Sequence, residues 1–266
     1  MFYATTLHNQ MNGGTVTETT TSTSTHFIQP DWPAPACIKA YTSLRNSRIG
    51  IRQEEVTPEP TVGDIDRSLL KKLLPLPHEP IWLKQTHSTI VVPAIPKNQG
   101  VEADASYASC PYEVCAVLTA DCLPILLCQR DGTHVAAIHA GWRGLANGII
   151  EATVDALQLP PDEILAWLGP AIGPSRFEVR KDVHDIFISH DPAAASAFTA
   201  FAEDHWLADI YALARQRLQK KGVHQIYGGD YCTHSEQERF FSFRREGRGV
   251  GRIVSLIWIE DSSDNL

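Results

Sequence analysis

Three residues in the middle of the chain have the types that hold a transition metal: His87, Cys122 and His139. Each closes, or lies inside, a short apolar run. His87 ends Ile-Trp-Leu-Lys-Gln-Thr-His, Cys122 lies in Val-Leu-Thr-Ala-Asp-Cys-Leu-Pro-Ile-Leu-Leu, and His139 ends Val-Ala-Ala-Ile-His. A thiolate and two imidazoles are three of the four ligands zinc prefers. A site with only three protein ligands keeps a position for water or substrate, which is the pattern of catalytic rather than structural zinc. Taken singly, Cys122 also reads as a core thiol and His87 as a structural histidine. Asp121 before Cys122 and Pro124 after it mark instead a strand end opening on a cleft. Cys115 and Cys128, in equally apolar runs, are read as buried thiols.

His139 is followed at once by Gly141-Trp142-Arg143-Gly144 and a helical pattern beginning near Leu145. A strand, a glycine turn and a helix start aim backbone N–H groups at one place, and Arg143 adds a planar cation suited to phosphate or carboxylate. The alternative is a tight turn with an exposed arginine. Asp104, in a polar segment between apolar runs, is a candidate general acid/base or a turn cap. His78, His134, His184, His190, His205, His224 and His234 sit among polar neighbours and read as surface residues.

The elements that must position these groups are short. Ile81–Thr86, Val114–Thr119, Pro124–Cys128, Val135–His139, Ile164–Leu168 and Ile253–Ile259 have the length and composition of strands. Leu145, Ile149, Ala152 and Ala156 recur at helical spacing until Pro160-Pro161 stops them. A long helix is predicted from about Ala194 to Lys221, with Phe201, Leu207, Tyr211 and Leu218 among its apolar positions. The links around Cys122 are too short for crossovers, so some strand pairs must be antiparallel. A purely parallel doubly wound sheet is excluded on that ground.

Composition narrows the function further. The chain has 266 residues, is 43% hydrophobic and carries a net charge of −8, enough for a substantial core. The acidic balance argues against a nucleic-acid groove, and the cluster Arg244, Arg245, Arg248 and Arg252 is too short to make one. The six cysteines form no CxxC pair and read as reduced thiols. No run is long enough to span a bilayer, and Met1 to Gln10 lack the basic and apolar regions of a secretory signal. The expected compartment is the cytoplasm. Residues from about Asn12 to Thr25 are nearly all Gly, Thr, Ser and Glu, so residues 1–31 are expected to be a disordered segment and 32–266 a single folded domain. Met11 is a candidate start residue.

Lys-Gln-Thr-His (84–87), Glu-Ala-Asp-Ala (102–105), Thr-Ala-Asp-Cys-Leu-Pro (119–124), His-Ala-Gly-Trp-Arg-Gly (139–144), Leu-Gly-Pro-Ala-Ile-Gly (168–173) and Phe-Phe-Ser-Phe-Arg-Arg-Glu-Gly (240–247) occur in that order. Together they make the chain resemble the YfiH/laccase-domain family, purine nucleoside phosphorylases also called multicopper polyphenol oxidases, from about Cys37 to Ile259. The resemblance implies an α+β (mixed α/β) fold: mixed β-sheets flanked by helices in one domain. It implies zinc on His87, Cys122 and His139, with copper as the alternative. It further implies phosphorolysis of adenosine, inosine, guanosine and methylthioadenosine, with adenosine deamination. The partners are then purine nucleosides and inorganic phosphate, in a monomer or small homo-oligomer.

One region departs from the family pattern. Where relatives carry Thr-Thr-Arg-x-Gly-Gly-Val-Ser, this chain has Thr42-Ser43-Leu44-Arg45-Asn46-Ser47-Arg48-Ile49-Gly50, and only Arg45 aligns well. Val62-Gly63-Asp64 resumes the pattern. Arg45, Gln85 and Arg143 are the candidate phosphate and substrate contacts. Cys122, His139, His87, Asp104 and Arg143 are the candidate catalytic group. Three rival readings stay open: a copper polyphenol oxidase, a metal-free Cys–His hydrolase with Cys122 as nucleophile and His139 as base, and a binding module without turnover.

Overall fold

The computed structural model describes residues 23–50 and 65–261. Most of the Asn12–Thr25 segment and all of Val62-Gly63-Asp64 lie outside the described residues. In chain order the helices and strands are α1 (Thr23–His26), β1 (Phe27–Ile28), β2 (Ile38–Ser43), α2 (Arg67–Leu73), β3 (Val91–Pro93), β4 (Ala105–Ala108), β5 (Cys115–Thr119), β6 (Leu123–Gln129), β7 (Val135–Ala140), α3 (Trp142–Asn147), α4 (Ile149–Leu157), β8 (Ile164–Leu168), β9 (Glu178–Arg180), α5 (Lys181–His190), β10 (Phe198–Ala202), β11 (His205–Ala208), α6 (Ile210–Lys220), β12 (Gln225–Gly228), α7 (Phe243–Glu246) and β13 (Ile253–Ile259).

Two sheets stacked face to face carry the fold. One is six-stranded in the order β12-β8-β6-β7-β4-β3; the other is four-stranded in the order β1-β2-β13-β5. The larger is mixed: β12–β8 and β3–β4 are parallel, and the pairs between them antiparallel. Side chains alternate across each strand, and here both faces are buried. From β6, Leu123, Ile125 and Leu127 join α3 to α6 in one core, while Leu126 and Cys128 point into a second core between the sheets. From β13, Ile253 and Ile257 enter that second core, while Val254, Leu256 and Trp258 pack under α2. Burial on both faces is why these strands read as continuous apolar runs. Among the described residues no helix is long and apolar enough to cross a membrane.

Four predicted elements differ. Ile81–Thr86 is not a ladder strand, because it passes between the sheets. Ile81 bridges to Cys115 of β5 and Lys84 to Glu102, so neither pairing continues. The helix expected near Leu145 begins at Trp142 and breaks at Gly148, whose φ of 103° is left-handed, before α4 resumes. The single helix expected over Ala194–Lys221 is a 3₁₀ turn, a hairpin and a shorter helix. The hairpin β10–β11 turns at Asp204 (φ 56°), and Asp209 caps α6 by accepting from Ala212 N–H at 2.9 Å. Near the start, Phe27 and Ile28 pair with β2 and are buried, so ordered chain reaches upstream of Trp32.

Candidate metal centre

His87, Cys122 and His139 reach one point from three structural settings. Cys122 lies in the link where the chain leaves β5 of the four-stranded sheet and enters β6 of the six-stranded one. His139 is the penultimate residue of β7, opposite Pro124 of β6. His87 stands in the loop after the Lys84 bridge, with φ 60°. Their ligand atoms all lie within 4.8 Å of one another. Cys122 Sγ is 3.6 Å from His87 Nε2, and the imidazole rings meet edge-on with centroids 4.8 Å apart. This is the one cluster of three or more such donors among the described residues.

Asp104 holds the arrangement from behind. Its carboxylate, fully buried, accepts from the consecutive N–H groups of Thr86, His87 and Ser88 at 3.2, 3.0 and 2.6 Å, and from Ser88 Oγ at 2.7 Å. That nest keeps the His87 backbone in a conformation uncommon outside glycine. The same carboxylate takes Nδ1–H of His139 at 2.7 Å. An ionised carboxylate only accepts, so Nδ1 carries the proton and Nε2 is left for a metal. Burial alone raises the Asp104 pKa, but His139 and Ser88 outweigh it and bring it to about 2. Asp104, a candidate general acid/base from the sequence, does not line the cavity; its carboxylate is taken up by the 86–88 nest and by His139.

The donor set suits a metal cation. Burial pushes the Cys122 thiol up, yet His139 and His87 pull it down to about 6. Burial lowers His139, and Cys122 with Asp104 raises it to about 9. Both shifts favour a thiolate on Cys122 beside a protonated His139, a donor pair suited to exchanging a proton for a cation. Gly141 belongs to this cradle. A Cβ there would collide with Cδ2 and Nε2 of the His87 ring and stand 3.1 Å from Cys122 Sγ.

The three donors face a cavity of ≈ 370 Å³, within the range of small-molecule sites. Leu83, Leu118, Ile172, Phe177 and Phe243 supply apolar walls; Arg143, Arg244 and Arg252 supply cations. Arg143 is exposed at its edge, its guanidinium over the Trp142 ring at 4.3 Å. Gln85 borders the cavity, but its amide grips the backbone of Leu118 through both ends, at 2.7 and 2.8 Å. Gln85 therefore also braces β5. Arg45 lies outside the cavity lining, over Phe241 and bound to Glu246 at 2.6 Å. Within the arginine cluster, Arg245 is half-buried and donates to Thr233 O, His234 O and Phe240 O, while exposed Arg244 donates to Glu178 O. Sequence reasoning missed Phe177 and Phe243 as walls. Asp121, read from the sequence only as the mark of a strand end opening on a cleft, lines the cavity as well.

Known proteins share this chain's sequence and fold. The family described as multi-copper polyphenol oxidoreductase laccase matches residues 55–260. A protein of Pseudomonas aeruginosa named purine nucleoside phosphorylase is 45% identical over 245 residues, covering 88% of this chain and 99% of the relative. Purine nucleoside phosphorylase YfiH of Escherichia coli K12 is 45% identical over 241 residues, covering 88% and 98%. The crystal structure of a Neisseria meningitidis protein of family DUF152 superposes with a TM-score of 0.81 at 43% identity, covering 89% of this chain and 100% of that one.

Proposed function

The chain belongs to the multi-copper polyphenol oxidoreductase laccase family, and we propose that it is a zinc-dependent purine nucleoside phosphorylase that also deaminates adenosine. The observation that carries this is the convergence of His87, Cys122 and His139 on the floor of a cavity that combines apolar walls with arginines. The names of its relatives support purine nucleosides as the substrate class; adenosine, inosine, guanosine and methylthioadenosine are the range this proposal assigns. Zinc, when bound, supplies a Lewis acid that polarises an oxygen nucleophile.

The protein's own residues do the rest. Asp104 keeps the His139 tautomer fixed and His87 in place, so the donor set is assembled before a substrate arrives. Arg143 at the edge draws phosphate in, with bidentate geometry available. Phe177, Ile172 and Phe243 take the flat apolar face of the purine and exclude water beside it. In phosphorolysis a phosphate oxygen bonds to ribose C1′ as the bond from C1′ to the purine nitrogen breaks, giving ribose 1-phosphate and free base. In deamination water adds at C6 of adenine and ammonia leaves, giving inosine. The two reactions present different carbons to the same floor, so the nucleoside takes two poses.

One further reading has a specific observation behind it. Cys122, His139 and Asp104 stand in the order nucleophile, base and orienting acid, the pattern of a metal-free hydrolase. Metal analysis with product chromatography separates the two. The proposal expects zinc in the purified protein, and adenine with ribose 1-phosphate from adenosine and phosphate. Turnover that persists undiminished in metal-free protein refutes it. Copper oxidase chemistry of the laccase type needs several coppers, and the described residues supply one three-donor cluster.

A further inference from the structure

The residue before Cys122 has a role that the donor set leaves unexplained. Asp121 has a φ of 83°, a left-handed conformation that costs energy for a residue with a side chain. Its side chain is fully engaged. Oδ1 accepts from Thr233 Oγ1 at 2.6 Å; Oδ2 accepts from Ser242 Oγ at 3.1 Å and from the backbone N–H of Arg244 at 2.6 Å. Thr233 and Ser242 are fully buried. Its backbone carbonyl accepts from Ile172 N–H at 3.0 Å. One residue thus gathers three separate stretches of chain around the mouth of the cavity. Two of them, Ile172 and Phe243–Arg244, line it.

Phe243 and Arg244 depend on this tether. Helix α7 is four residues long, too short to hold itself. Phe243 is 50% exposed although it borders the cavity. An aromatic ring held half bare beside a site of this size is a stacking surface waiting for a flat partner. Arg244 reaches on from there to Glu178 O at 3.1 Å and lies over Phe177 at 5.9 Å, which joins the two aromatic walls.

We propose that Asp121 is a positioning residue: it fixes the Phe243–Arg244 segment to the strand junction that carries Cys122, so that the Phe243 ring forms the wall on which the purine base stacks. The proposal rests on the nucleoside reading above. It separates two jobs within one dipeptide, Asp121 setting the base wall and Cys122 holding the metal.

The test uses the full-length zinc-loaded protein with Asp121→Ala, Asp121→Asn, Thr233→Val, Phe243→Ala and the double variant Asp121→Ala/Phe243→Ala. Asp121→Ala is expected to raise KM for adenosine at least about fivefold, the lower end of what base–aromatic stacking contributes. Zinc content stays at the wild-type level and kcat changes less than KM. Tryptic cleavage after Arg244 speeds up about tenfold as the segment opens. Asp121→Asn restores most of KM, since its carbonyl can keep the Arg244 N–H and its amide can donate to Thr233. Thr233→Val, remote from Cys122, shifts cleavage and KM in the same direction and guards against misfolding of Asp121→Ala. Adding Asp121→Ala to Phe243→Ala raises KM no further than the larger single change, because both act through one contact. Unchanged cleavage and KM in Asp121→Ala and Thr233→Val, or full additivity in the double variant, overturns the proposal. Wild-type protein that fails to bind adenosine overturns the nucleoside reading instead, and the trypsin arm, which needs no substrate, tells the two failures apart.

Discussion

Replacing Asp104 by Asn is the sharpest probe of how the donor set is held. The change keeps size and shape but replaces one acceptor oxygen with an amide donor. In the native protein the carboxylate accepts from Thr86 N–H, His87 N–H, Ser88 N–H, Ser88 Oγ and His139 Nδ1. Asn can serve one side of that ring of donors and must point its NH₂ at the other. A buried donor left without an acceptor costs roughly 1–3 kcal/mol, so either the 86–88 nest or His139 loses its partner. If His139 loses it, the imidazole is free to take the other tautomer. Loss of an outer partner of a metal-bound histidine typically costs about 10- to 100-fold in affinity, or about 1.4–2.7 kcal/mol. We expect Asp104→Asn to weaken zinc by that range in competition with a chromophoric chelator near neutral pH, with circular dichroism unchanged. Phosphorolysis should fall in parallel and recover in part at high zinc. A zinc affinity within threefold of wild type would refute the view that Asp104 orders the ligands.

Gly141→Ala should abolish zinc binding more completely than Asp104→Asn, because the added Cβ overlaps the His87 ring and presses on Cys122 Sγ; zinc titration checks it. Arg143→Ala should raise KM for phosphate about 10- to 150-fold, from roughly 1.5–3 kcal/mol for a charge-assisted contact, while deamination, which uses water, suffers less. Equal losses in both reactions would place Arg143 on the nucleoside instead. Burial pushes the thiols of Cys115 and Cys128 up to about 12. A raised folded-state pKa stabilises fully below the unfolded-state value and is lost as pH climbs through the folded one. Melting temperature should therefore decline between about pH 9 and 12, and Cys115→Ala should soften that decline. In native protein a thiol reagent should modify exposed Cys110 and leave Cys115 and Cys128 intact until unfolding.

How much of this was readable depends on whether the determinant is local. Strands β5 to β8 and β13 were legible, because burial on both faces leaves an unbroken apolar run. Their pairing was not: β13 slots between β2 and β5 across more than a hundred residues of sequence. The Ala194–Lys221 region misled because Leu207, Tyr211 and Leu218 suit helical spacing, while the deciding signals were single residues, the turn at Asp204 and the cap at Asp209. At the site, His87, Cys122 and His139 stood out by type and by their place at strand ends. Asp104 was noticed but its direction was not, since nothing in Glu-Ala-Asp-Ala says that three N–H groups of residues 86–88 will close around it. Gln85 was noticed as a cavity residue, but not that its amide clasps the backbone of Leu118. In each case the residue type was visible and the partner lay elsewhere in the chain.

The central claim is that one zinc ion held by His87, Cys122 and His139 makes this cavity a nucleoside phosphorylase. The most direct measurement is metal content and product identity on the same preparations, wild type and Cys122→Ser, given adenosine with and without phosphate. The account predicts about one zinc per wild-type chain, adenine with ribose 1-phosphate only when phosphate is present, and a folded Cys122→Ser protein that has lost both metal and turnover. A wild-type preparation that carries its zinc yet converts no nucleoside, or a metal-free one that converts it at full rate, contradicts the account.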